Sequence, residues 1–122
     1  MQHRDRIILE KIISIIKEGE SFMEGISKEE FLSDPVLQNA MCMIDIRIGE
    51  LVKVVGSELR KEYPAIPWKS IACNRDIAAH KYDALDFEQV YITVTQNHPE
   101  LKDSLNKILA EDGEDMLQFQ RI

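Results

Sequence analysis

Apolar residues recur at helical spacing along most of this chain. Stripes with a period near 3.6 residues are typical of core helices. They predict helices over residues 4–17, 35–62, 68–84 and 86–97 and a last helix that Pro99 opens. We expect Gly19 to end the first helix and Gly113 the last. The pattern therefore predicts an all-α up-and-down bundle of four main helices plus a shorter one.

Two capping signals predict where helices begin. Ser27-x-x-Glu30 has the form of a capping box and predicts a short helical turn. Asp34 followed by Pro35 predicts the N-cap and first turn of the longest helix, over 35–62.

Glycines and prolines shape the middle of the chain. Gly49 and Gly56 lie seven residues apart on the longest predicted helix, where they would let another helix approach closely. Residues 63–67 contain Pro64 and Pro67, which predict a loop that leads into the helix over 68–84.

The helix predicted over 68–84 carries a cation in the middle of its apolar face. At about 100° per residue, Arg75 lies at the centre of a stripe formed by Trp68, Ile71, Ala72, Ala78, Ala79 and Tyr82. Burying a guanidinium without a partner costs several kcal/mol. The sequence therefore predicts that an anion lies against Arg75.

Three more reactive side chains follow Arg75 closely. Asp76 and His80 are an i, i+4 pair, so the carboxylate can hold and orient the imidazole. His80 lies about 140° from Arg75 around a helix, so the two can share a substrate only at a helix end, a cleft rim or a dimer seam. Tyr82 returns to the Arg75 side. The alternatives are that Arg75 pairs with a surface carboxylate, His80 is merely exposed and Tyr82 belongs to the core.

Composition limits the classes of function. With 122 residues, 44% hydrophobic and 30% charged, the chain suits one globular domain. We place it at 1–112 and expect 113–122 to be an acidic tail, either loose or bound to a partner. The formal net charge of −7 argues against a broad nucleic-acid-coating surface, so any RNA contact must be local.

No metal or cofactor site is expected. Cys42 and Cys73 lack the spacing of paired ligands, and the histidines are scattered. Arg4-Asp5-Arg6 does not resemble a signal peptide, and no apolar run approaches the roughly 18 residues of a membrane span. We therefore expect a cytoplasmic protein with reduced thiols and no membrane contact.

The run Arg75-x-x-x-x-His80-x-Tyr82, with Asp76 after the arginine, resembles the signature of HEPN-domain proteins, specifically the HepT-like toxins paired with minimal nucleotidyltransferase antitoxins. The likeness extends from the first helix to about Ala110. It is supported by Ile66-Pro67-Trp68, Tyr82-Asp83, Asp86, Val90 and Pro99-Glu100-Leu101. Lys81 departs from the family pattern, in which a small or polar residue often stands.

The resemblance implies a toxin of a type VII toxin–antitoxin system that acts as a metal-independent endoribonuclease. His80 would move a proton and Arg75 would stabilise charge on the phosphoryl oxygens, while Asp76 would position His80 or contact Arg75 of a partner protomer. It also implies a homodimer with one composite cleft, and a nucleotidyltransferase that transfers AMP onto Tyr82. Two alternatives remain open: an enzymatically silent module that binds a nucleotide or a protein, and a structural bundle with a chance motif.

Overall fold

The structure is a computed structural model that describes the backbone of residues 1–80, 83 and 85–121, and the side chains of these residues except 76, 79, 80 and 114–121. Every extended regular element in this part of the chain is helical, which confirms the predicted all-α class. The elements are α1 (His3–Met23), α2 (Lys28–Leu32), α3 (Pro35–Lys53), α4 (Ser57–Glu62), α5 (Trp68–His80), α6 (Phe87–Ile92), a π-helical segment (Thr93–Asn97) and α7 (His98–Arg121).

The bundle forms around α1 and α3. Helix α3 packs on both α1 and α5, and α7 packs on α1. Each fully buried aliphatic or aromatic side chain contributes about 1.5–3 kcal/mol by leaving water. The most deeply buried of these side chains are Leu9, Ile12, Ile16, Phe31, Met41, Ile44, Ile48, Val52, Val55 and Leu105. No helix in the described part of the chain is both long enough and apolar enough to cross a membrane.

Both predicted capping signals are confirmed. The Ser27 hydroxyl accepts a hydrogen bond from the Glu30 amide at 3.1 Å, at the start of α2. The Asp34 carboxylate accepts one from the Leu37 amide, also at 3.1 Å, at the start of α3. Each bond satisfies a backbone donor that the first helical turn leaves unpaired.

Gly19 does not end α1, and the helix predicted over 35–62 is not continuous. Gly19 is buried inside α1, and a Cβ there would lie 3.1 Å from side-chain atoms of Met41 and Ile44. Helix α3 ends at Lys53, and Gly56 is the N-cap of α4. The Gly56 amide donates to Asp5 of α1 at 2.9 Å. The Gly56 amide therefore bonds to a side chain of α1 instead of to a backbone carbonyl of its own helix, as a continuous helix over 35–62 would require.

The C-terminal part of the bundle is one helical path. The prediction that a helix ends near Asn97 is wrong, because α6 continues through the π-helical segment into α7. The prediction for Gly113 is also wrong, since α7 runs to Arg121. An internal glycine costs only about 1 kcal/mol, and Asp112 pairs with Arg6 of α1 at 2.8 Å, which holds this turn in place. The separate tail over 113–122 stays a prediction.

Candidate active site

The loop over residues 63–67 fixes the start of α5. The predicted loop is present, and the indole Nε1 of Trp68 donates to the Tyr63 carbonyl at 3.0 Å. Trp68 is itself buried against the core. The first turn of α5 is therefore anchored by a hydrogen bond and by packing, so the helix presents its later residues from a fixed base.

Arg75 is held by α3. Its Nε contacts the Glu50 carboxylate in an ion pair, and the side chain of Arg75 is 19% exposed while that of Glu50 is 51% exposed. The anion that the sequence predicts against Arg75 is thus Glu50. Sequence reasoning did not identify Glu50, because it lies on a different helix and 25 positions before Arg75 in the sequence.

Gly49 makes the approach of α3 and α5 possible. A Cβ at this position would collide with Cβ and Cγ of Arg75, and it would lie 3.3 Å from the Ile71 carbonyl oxygen. The close helix approach predicted for Gly49 is confirmed. Gly56 lies outside α3, but its lack of a side chain also permits a close contact, because a Cβ there would lie 2.9 Å from Oδ2 of Asp5 on α1. The absent side chain at Gly49 lets Glu50 reach Arg75.

Asp76 and His80 belong to α5, but their side chains lie outside the described part of the structure. The helical register places both positions on the face that also carries Lys69 and Cys73, and these two residues are exposed. The backbone position of His80 is therefore directed away from Arg75 by about 140°. Tyr82 lies outside the described residues, as does Lys81.

A buried hydrogen-bonded pair lies beside a cavity that Ile71 and Asn74 of α5 also line. Nε2 of His98 donates to Oδ1 of Asp45 at 3.1 Å, and both residues are at most 9% exposed. Burial and the nearby Asp45 raise the pKa of the Cys42 thiol to about 11. A buried carboxylate requires a hydrogen-bond partner to offset its desolvation, and this bond joins the start of α7 to α3.

Sequence reasoning treated His98 as an isolated histidine and missed its pairing with Asp45. One signal was present: Asp45 stands at helical spacing among Met41, Ile48 and Val52, which are buried. A carboxylate within an apolar stripe requires a partner. Nothing in the sequence pointed to a residue 53 positions away.

A helical bundle with Arg75 and His80 five residues apart on one helix has the features of a HEPN-like protein. The family model described as "Ribonuclease HepT-like" matches residues 12–108. The chain therefore belongs to the HepT-like ribonuclease family. No solved structure is a significant match.

Three relatives illustrate how far the similarity extends. The chain is 36% identical over 101 residues to "Putative RNase TTE0752" of Caldanaerobacter subterraneus subsp. tengcongensis, covering 80% of this chain and 90% of the relative. It is 31% identical over 117 residues to "Putative RNase MJ1216" of Methanocaldococcus jannaschii, covering 94% and 97%. It is 33% identical over 106 residues to "Probable ribonuclease HepT" of Thermococcus cleftensis, covering 87% and 94%.

Proposed function

We propose that this protein is a metal-independent endoribonuclease that leaves 2′,3′-cyclic phosphate and 5′-hydroxyl ends. The observation that carries the proposal is the ribonuclease-family match over residues 12–108, which includes the whole of α5 with Arg75 and His80. Relatives that align over nearly their whole length are named as ribonucleases.

The proposed reaction needs only groups that α5 supplies. The ribose 2′-oxygen attacks the adjacent phosphorus, the bond to the 5′-oxygen breaks, and protons leave the 2′-hydroxyl and reach the departing oxygen. His80 transfers a proton, a role that suits histidine because an unperturbed imidazole titrates near neutrality. Arg75 donates to the phosphoryl oxygens as their negative charge grows. Asp76, one helical turn before His80, positions the imidazole.

The Glu50–Arg75 pair has to open, or turn its remaining donors outward, for this role. Because the Glu50 side chain is half-exposed, the pair is screened by solvent. Ion pairs of this kind contribute about 1 kcal/mol or less. A phosphate, which offers charged oxygens to the guanidinium fork, can therefore compete with Glu50 at small cost.

We further propose a homodimer in which two α5 helices face each other across a two-fold axis. The offset of about 140° between Arg75 and His80 prevents them from meeting within one helix. A second protomer would bring the Arg75 of one chain toward the His80 of the other.

The dimer predicts a mass of twice the chain mass of 14.1 kDa in solution. Multi-angle light scattering at micromolar concentration measures it directly. A monomeric mass at concentrations where RNA is cleaved would contradict the composite cleft.

A ribonuclease of this kind needs restraint in the cell that produces it. We propose that the protein is the toxin of a type VII toxin–antitoxin system and that a minimal nucleotidyltransferase transfers AMP onto Tyr82. If the helix continues to this residue, Tyr82 lies about 20° from Arg75. The adenylate phosphate would then compete with RNA for the same guanidinium.

One observation favours the rival function, an enzymatically silent module that binds a nucleotide or protein. Arg75 already has a carboxylate partner in Glu50, as an arginine with a purely structural role would. The rival predicts binding without turnover, so an assay of cleavage separates the two functions.

The proposal is tested by incubating the purified protein with a mixed-sequence single-stranded RNA in EDTA. We expect cleavage of the RNA, and no cleavage of DNA of the same sequence, because DNA lacks the attacking hydroxyl. Activity that EDTA abolishes and Mg²⁺ or Mn²⁺ restores would contradict metal independence, and RNA that is bound but intact would favour the rival.

A further inference from the structure

An open groove of about 770 Å³ runs between α4 and the first half of α5. Four cations line it: Lys53, Arg60, Lys61 and Lys69. Among its described lining residues there is no carboxylate. The chain has 15 Lys and Arg residues against 22 Asp and Glu residues, so the residues that line this groove have the opposite charge balance to the chain as a whole.

Arg60 provides a second, independent observation that the groove is suited to bind an anion. Its Nε is buried and has no hydrogen-bond partner in the described part of the structure. A buried donor without a partner is costly, and an acceptor supplied by a ligand would satisfy it, while the rest of the Arg60 side chain is only partly buried. A phosphate oxygen is the acceptor that fits a guanidinium donor best.

The floor of the groove is apolar. Ile66 and Trp68 line it and are buried at 8% and 7% exposure, with Pro64, Pro67 and Ala72 alongside. A cationic rim beside an apolar surface suits a single-stranded nucleic acid, because the rim pairs with phosphates and the apolar surface lies against sugars and bases. The ring of Trp68 is buried beneath this surface and does not itself stack on a base.

The groove is lined by the first half of the helix that carries the candidate active site. Lys69 lies in the groove and on the same face of α5 as Asp76 and His80. From Lys69 to His80 the helix rises about 16 Å. A strand that follows this face would pass from the groove to the position of His80 within a few nucleotides.

We propose that this groove, the α4–α5 groove, binds the sugar–phosphate backbone of the single-stranded RNA substrate next to the scissile bond. Arg60, Lys61 and Lys69 contact phosphates, and the exposed apolar lining at Pro64 and Pro67 lies against sugars and bases. The inference rests on the proposed ribonuclease function for the identity of the strand. It explains how a chain with a net charge of −7 can hold a polyanion through one local surface.

The test uses binding as well as cleavage, so that the two proposals can fail separately. Oligo(dT) is the binding probe, because it has the phosphate backbone but no 2′-hydroxyl and is not cleaved. Trp68 is the only tryptophan in the chain and lines the groove, so its fluorescence reports occupancy directly. Affinity is measured by titration at several salt concentrations.

The test variant carries Arg60→Gln, Lys61→Gln and Lys69→Gln. The matched control carries Lys11→Gln, Lys28→Gln and Lys107→Gln, three exposed lysines on α1, α2 and α7, so both variants change net charge equally. Each phosphate contact on a single strand contributes about 0.7 to the slope of log affinity against log salt. The test variant should lose about 2 units of slope and bind on the order of tenfold more weakly, whereas the control should match the wild type.

Cleavage kinetics add a second readout. The test variant should raise KM for RNA while retaining kcat, because the groove holds the strand but does not touch the reacting atoms. An unchanged salt slope in a folded test variant, an equal loss in the control, or equal saturation of Trp68 fluorescence by inorganic phosphate alone would overturn the groove as a strand site. Oligo(dT) binding that the test variant loses, in a protein that never cleaves RNA, would uphold the groove and overturn the ribonuclease.

Discussion

Replacing His80 with alanine is expected to slow RNA cleavage by about 10²- to 10⁴-fold, the usual contribution of a positioned general acid or base. The fold should survive, because position 80 lies at the end of α5 on the face that carries exposed Lys69 and Cys73. Cleavage is measured on a 5′-labelled single-stranded RNA, and helix content by circular dichroism.

His3→Ala is the matched control for this substitution. His3 is exposed at the start of α1, so the same chemical change there should leave the rate unchanged. An active His80→Ala variant would remove His80 from the mechanism, and an unfolded one would place it in the core.

The Arg75→Lys variant should also lose cleavage, because an ammonium cannot donate through a bidentate fork, although it can still pair with Glu50.

Coexpression with the cognate nucleotidyltransferase is expected to silence the wild-type protein completely and to leave Tyr82→Phe active. Phenylalanine has no hydroxyl to accept AMP, so the adenylate that blocks Arg75 cannot form. The measurement is tandem mass spectrometry of tryptic peptide 82–102, whose fragments distinguish Tyr82 from Tyr91 in the same peptide, combined with cleavage by the same sample. The wild-type peptide should carry one adenylate.

Tyr91→Phe is the control for this prediction. Tyr91 is a half-buried tyrosine of α6 whose ring packs on Phe31 with centroids 5.7 Å apart, and its variant should still be silenced. An unmodified Tyr82 peptide from a fully inhibited wild-type sample would mean that the antitoxin acts by binding alone. Inhibition of Tyr82→Phe to the same extent would lead to the same conclusion.

The helices could be predicted from the sequence because their signals are local. The apolar stripes of α1 and α3 recur every three to four residues, and the caps at Ser27 and Asp34 need only the next three residues. The predicted helix ends were wrong where tertiary contacts determine whether a helix continues or stops. Gly19 continues a helix because it packs on α3, and Gly56 begins a helix because its amide is bonded to Asp5.

In the candidate site, too, the features with local signals could be predicted from the sequence, whereas those that depend on contacts between helices could not. The spacing of Arg75 on an apolar stripe was enough to predict an anion beside it, since an uncompensated guanidinium is costly. That the anion is Glu50 depends on the approach of α3 and α5 at Gly49. The pairing of Asp45 with His98 depends on the tertiary fold, which brings the start of α7 to α3. The groove that contains Arg60 and Lys69 forms between helices, so neither helix alone reveals it.

The most direct measurement of the central claim uses a DNA strand that contains one ribonucleotide, incubated with the protein in EDTA. If the 2′-hydroxyl is the nucleophile, the strand is cut only on the 3′ side of that ribonucleotide, and mass spectrometry finds a 2′,3′-cyclic phosphate on one product and a 5′-hydroxyl on the other. Cleavage at a deoxynucleotide, a 5′-phosphate product, or activity that appears only after a divalent metal is added would contradict transesterification by His80 and Arg75.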